Sequence, residues 1–172
     1  MFELFYHPIY TYGIDKRSRF PRDRYRLTKE ALDQLDVDIH FVRPRMVEIN
    51  DLYFAHDRAY VDSFLNGSLS IKERRKIGLQ PWNDQIIDRT RYIIGGSLGA
   101  LESAIASNGI AGNMAGGTHH AHYSEGSGYC IFNDLAICAK VARRNHERIN
   151  NVLIIDLDVH QGDGTASMLS ND

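Results

Sequence analysis

Of the residues that staple small exported scaffolds, this sequence has few: two cysteines in 172 residues, Cys130 and Cys138, cannot make a disulfide framework. That scarcity fits a reducing, cytoplasmic compartment. Excess charge of either sign is missing too. With 20 Lys and Arg against 22 Asp and Glu, the net charge of −2 and a pI near 6.4 create no field that would draw in nucleic acid or an anionic membrane surface. No long unbroken apolar run occurs, and Met1-Phe2-Glu3-Leu4-Phe5 is not a basic region ahead of one, so neither a spanning helix nor an export signal is expected. Internal repeats, low-complexity tracts and linkers are also lacking. What is present is 43% hydrophobic residues, enough at this length for one sizeable core, and therefore for one domain or part of one.

Hydrophobic spacing and punctuation divide the chain. Phe2 to Tyr6 reads as a strand stopped by His7-Pro8, and Tyr10 to Arg22 as a polar loop. A helix capped near Asp23 is expected through Leu35. Val37 to Val42 alternates like a half-exposed strand at a sheet edge, ended by Pro44. Short helices are expected from Asp57 to Leu65, closed by Asn66-Gly67, and from Ser70 to Lys76, whose charge run reads as a solvated face. Trp82 to Ser107 patterns as a long helix. Gly95, Gly96 and Gly99 inside it each cost up to ~1 kcal/mol of helix propensity, which points to close packing against another backbone. Gly112 to Gly128 is a glycine-rich loop of a length that usually serves function, and Asn133 or Asp134 caps a helix running to Arg148.

Chemistry concentrates after that helix. Val152-Leu153-Ile154-Ile155 leads into Asp156-Leu157-Asp158-Val159-His160 and reads as a central strand buried on both faces. Residues two apart on a strand share a face, so Asp156, Asp158 and His160 are expected to point the same way. Carboxylate oxygen and imidazole nitrogen together suit Zn²⁺, and the Gly162-Asp163-Gly164 turn lies at the strand's carboxyl end, where open α/β sheets bind ligands. The plainer reading is a strand end with surface acids. Gly116-Gly117-Thr118-His119-His120-Ala121-His122 is the second such stretch: adjacent imidazoles on a close-approaching backbone suit general acid/base work, with Asp156 and Asp163 as spare carboxylates to orient them. His122 reads as an ordinary loop histidine.

These stretches, with Gly126-Ser127-Gly128-Tyr129-Cys130-Ile131-Phe132-Asn133-Asp134 between them, resemble the zinc-dependent histone deacetylase family and its bacterial acetylpolyamine and acetoin-utilisation relatives. Gln161, where many members carry a second histidine, looks most like the class IV branch. The resemblance implies a three-layer α/β/α fold with a mainly parallel sheet, and zinc-assisted hydrolysis of an acetyl-lysine-like amide on a protein or small amine. By position it implies Asp158 and His160 as zinc ligands and His119 and His120 as the acid/base pair. Asp156 would stand behind His119 and Asp163 behind His120. It also implies a K⁺-like cation near Asp156 and Asp158, and Gly128 and Tyr129 lining the tunnel for the acyl-lysine stem.

Members of that family are about twice this long, and their third zinc ligand and carbonyl-polarising tyrosine come from the second half. Residues 1–172 are therefore expected to be the amino-terminal part of a single deacetylase domain, inactive and poorly soluble on its own. Two other readings stand beside this one. A binuclear manganese hydrolase of the arginase type would need an aspartate two residues after His160, where Gly162 stands. A non-catalytic module would keep the scaffold and bind an acyl ligand or partner without turnover.

Overall fold

A computed structural model describes residues 2–170. In chain order the elements are β1 (Phe2–Phe5), α1 (Ile9–Tyr12), α2 (Arg24–Leu32), β2 (Ile39–Val42), α3 (Ile49–Ala55), α4 (Arg58–Leu65), α5 (Ile71–Ile77), α6 (Gln85–Ser107), β3 (Ala111–Asn113), α7 (Asp134–Asn145) and α8 (Asp163–Leu169). The chain is α/β, with a parallel sheet. It divides into two compact units, residues 1–47 with 79–116 and residues 48–78 with 117–172.

The first unit is built on the sheet, in the order β2-β1-β3, with both pairings parallel and Phe2 opposite Ile39 and Glu3 opposite Ala111. β2 is the edge strand that its alternation foretold. Against β1 and β3 lies α6, and its three glycines explain themselves there. A Cβ at Gly95 would run into the Arg45 carbonyl, one at Gly96 into the Tyr10 hydroxyl and Asn113, and one at Gly99 into the Phe5 ring. Asn113 fastens the strand to the helix by donating to the Ile93 carbonyl and to Ser97 Oγ, both at 3.0 Å. The stretch read as a loop after Tyr10 begins with the short helix α1. The helix expected through Leu35 ends at Leu32, and within it only Tyr25 is buried, while Leu27 and, beyond its end, Leu35 stay exposed.

The second unit packs α3 on α4 and α7, and α7 on α8. Its core is aromatic: Phe132 meets Phe64 and Tyr60 edge-on at 5.1 and 5.6 Å, with His56 tilted against it at 5.1 Å. Helix starts follow local chemistry. Asp57 accepts from the Tyr60 amide at 3.0 Å, Ser70 and Glu73 form a reciprocal capping box, and Asn133 caps α7 through the Ala136 amide. α3 has no such announcement in the sequence, where no element is assigned to its residues, and its N-cap Glu48 makes no side-chain cap bond.

The central strand expected near the carboxyl end does not form. Val152 to Asp158 is not a strand: it has no ladder partner among the described residues, and Leu153, Ile155, Leu157 and Val159 are 84%, 71%, 91% and 93% exposed. A strand is not a local structure. Its backbone groups need a neighbour, and without one the carboxylates turn back to bond their own chain: the Asp158 amide donates to Asp156 Oδ1 at 3.0 Å and the His160 amide to Asp158 Oδ1 at 2.7 Å.

Candidate active site

The His-His loop is held from beneath by the start of α7. Buried Asp134 accepts from the Thr118 amide at 2.8 Å, from the Thr118 hydroxyl at 2.7 Å and from the Gly117 amide at 3.2 Å, while its own amide donates to Thr118 Oγ1. Asn133 donates to the Ala121 carbonyl at 3.1 Å and to Thr165 Oγ1 at 3.0 Å. Its amide donates to Nε2 of His56, whose Nδ1–H in turn donates to the Tyr123 carbonyl at 3.1 Å. In the sequence Asn133 and Asp134 stand out only as helix caps, and His56 carries no signal of its own. Burial holds the His56 imidazole down to about pKa 4, so it is a neutral two-way connector.

On this base the histidines acquire partners. His119, 5% exposed, places Nδ1 2.7 Å from Asp156 Oδ2, and His120 places Nδ1 2.8 Å from Asp163 Oδ1. Their rings lie 4.2 Å apart, with the His160 ring 5.9 Å from that of His120. The Asp156 carboxyl is held below the usual carboxylate range by the hydrogen bond from His119 and then by the Asp158 amide. Asp163 is held down first by the hydrogen bond from His120. Ionised carboxylates only accept, so each Nδ1 carries a proton, and in the neutral ring the lone pair is then on Nε2. That is the tautomer a general base requires.

Two glycines make the approach possible. At Gly128, φ is +53° and a Cβ would strike the His120 ring; at Gly164, a Cβ would strike the carbonyls of His119 and Ala121. The Ser127 hydroxyl donates to the His120 carbonyl at 2.9 Å, and the Thr165 amide to that of His119 at 3.1 Å. Tyr129 also has positive φ, +68°. Its amide donates to the Ile77 carbonyl at 2.7 Å, and its 40%-exposed ring lies beside Gly78. Burial pushes the neighbouring Cys130 thiol up to about 12, which removes it as a thiolate nucleophile.

The expected common face of Asp156, Asp158 and His160 is not formed. Asp156 turns to His119, whereas Asp158 Oδ1 accepts from Nδ1 of His160 at 2.8 Å and both side chains are more than half exposed. Their donor types suit zinc. Their number does not complete a site: a catalytic zinc takes three protein ligands, and among the described residues no group of three or more His, Cys, Asp or Glu could hold an ion. His122, read as an ordinary loop residue, instead brings Nε2 to 3.5 Å from Asp163 Oδ2.

An α/β chain with two imidazole–carboxylate pairs on a glycine loop has the parts of a hydrolytic enzyme. Comparison with known families specifies it: the histone deacetylase domain matches residues 18–172, and the chain belongs to that family. It is 38% identical over 99% of its length to an uncharacterized protein of Picosynechococcus sp. (strain ATCC 27264 / PCC 7002 / PR-6), of which it covers 57%. It is 32% identical over 90% of its length to the acetoin utilization protein AcuC of Staphylococcus aureus (strain MSSA476), and 28% identical over 92% to that of Bacillus subtilis (strain 168). The chain spans 42% and 43% of those two relatives.

Proposed function

We propose that these residues form the acid/base half of a zinc-dependent deacetylase that hydrolyses an acetyl-lysine-like amide, on a protein or on a small amine. The carrying observation is the pair of His–Asp contacts, 2.7 and 2.8 Å, on adjacent histidines. Nε2 of one histidine takes a proton from the attacking water while the oxygen bonds to the acyl carbon. The C–N bond then breaks and that proton goes to the amine nitrogen, leaving acetate and a free amine. Asp156 and Asp163 keep each ring in the accepting tautomer and stabilise it once protonated. Asp158 and His160 are proposed as two zinc ligands, with the third from outside residues 2–170. Zinc held there would supply Lewis acidity toward the carbonyl and make the attacking water easier to deprotonate near neutral pH. A K⁺-like ion near Asp156 and Asp158, and Gly128 with Tyr129 beside the acyl-lysine stem, belong to the same proposal. So does a cytoplasmic location, which rests on composition and on Cys130 and Cys138 lying outside any disulfide. Among the described residues no helix is long and apolar enough to cross a membrane.

The test is hydrolysis of a fluorogenic acetyl-lysine series by the intact protein with and without chelator. Chelator-sensitive turnover that falls roughly 10²- to 10⁴-fold in His120→Ala is expected. Absence of turnover by the zinc-loaded intact protein refutes it. One observation favours a second reading, binding without turnover: the two-donor set at Asp158 and His160. For residues 1–172 alone that reading and ours agree, and both expect no activity.

A further inference from the structure

The two carboxylates behind the histidines are anchored differently. Asp156 is engaged through both oxygens: Oδ2 receives His119 Nδ1–H, and Oδ1 receives the backbone amide of Asp158 at 3.0 Å. Asp163 has Oδ1 on His120 at 2.8 Å and draws also on the adjacent Gly164 amide, while Oδ2 faces a side chain, Nε2 of His122 at 3.5 Å. With its side chain 49% exposed, Asp163 is not fixed by burial. A neighbouring side chain can steady it further, because the χ2 of a half-exposed carboxylate is broad and turns with little resistance. His122 is well placed for this. It stands two residues beyond His120 on the same loop, its amide is tied to the Glu125 carbonyl at 2.9 Å, and its side chain is 30% exposed. At 3.5 Å the contact is longer than a direct hydrogen bond, so it steadies Asp163 by the electrostatic pull of the ring N–H rather than by a short shared proton.

We propose that His122 is a positioning residue for the Asp163–His120 pair: the three form a His–Asp–His bracket in which His122 fixes the second oxygen of Asp163. The role deepens the deacetylase reading and rests on it. Asp163 is the less anchored of the two acids, so the His120 branch is the one that substitution at a non-catalytic position can loosen. His122 touches no reacting atom in this arrangement, and its effect passes through Asp163.

The test uses the intact, zinc-loaded protein and the variants His122→Ala and His122→Lys, with kcat and KM measured separately on an acetyl-lysine peptide. Since partners behind a reacting group are worth roughly 10- to 100-fold, His122→Ala is expected to lose about tenfold in kcat with KM unchanged. His122→Lys, which places an N–H donor of positive charge beside Asp163, should recover to within about threefold of wild type. An unchanged kcat in His122→Ala overturns the bracket. So does a loss that lysine fails to recover at equal melting temperature, because His122 would then matter for packing alone. Inactivity of the wild-type protein instead defeats the deacetylase reading beneath it.

Discussion

At the scale of single residues, the candidate site depends on groups whose ionisation is set by burial or by one close partner. His56 is the clearest. Its folded pKa of about 4 lies below the ordinary value of 6.5, so above pH 6.5 neither state binds the proton and the residue is indifferent to pH. Between pH 6.5 and 4 the unfolded chain is protonated and the folded one is not, so stability falls with pH across that window and flattens below it. The gap corresponds to about 3 kcal/mol at its full extent. Urea unfolding at pH 7 and 4.5 should show that decline in the wild type and a shallower one in His56→Gln, and equal slopes in the two would count against it. Asp134 is the second such residue. Asp134→Asn turns an acceptor-only group into one with an N–H₂ facing the amides of Gly117 and Thr118, and should cost about 1.5–3 kcal/mol in urea unfolding. An unchanged midpoint would show that the loop does not depend on this staple.

At the scale of elements, α6 offers a contest between two effects of opposite sign. Helix propensity alone makes Gly95→Ala stabilising by about 1 kcal/mol, while overpacking against a neighbouring backbone costs about 1–3 kcal/mol. The Cβ would meet the Arg45 carbonyl, which cannot swing aside as a side chain could, so a net loss is expected in thermal unfolding. A raised melting temperature would mean that the loop carrying Arg45 yields. The same contrast governs what was legible in the sequence. Caps at Asp57, Ser70 and Asn133 are local, a side chain bonding an amide three residues on, and could be read directly. The helical glycines could be read as close packing without their partners being known. Asp134 under Thr118, His56 under Asn133 and His122 against Asp163 join residues distant in sequence or depend on a turn, and no spacing rule reveals them. The stretch from Val152 to Asp158 reads as a strand yet forms none for the same reason, since composition records how willingly a segment enters a sheet and not whether a neighbour is there.

At the scale of the molecule, that stretch sets the balance. Leu153, Ile155, Leu157 and Val159 present aliphatic side chains to solvent beside the acids of the candidate site. Full burial of each is worth about 1.5–3 kcal/mol, so together they approach the roughly 5–15 kcal/mol by which a domain is stable at all. A chain that leaves them uncovered forgoes that stabilisation and exposes a sticky edge; one that covers them gains a strand and fixes Asp156 and Asp158 in register. The AcuC relatives are more than twice as long as the stretch they share with this chain, so the cover is expected from sequence outside residues 1–172. Leu157→Asp tests this because it should act in opposite directions in two contexts. In residues 1–172 alone it should raise the soluble fraction and lower binding of an apolar-surface dye, since the residue is 91% exposed there. In the intact protein it places a charge in a buried strand and should cost about 3 kcal/mol or more of stability, with loss of turnover. Equal, small effects in both contexts would mean that the segment remains exposed in the intact protein and that Asp158 and His160 are not held by a strand.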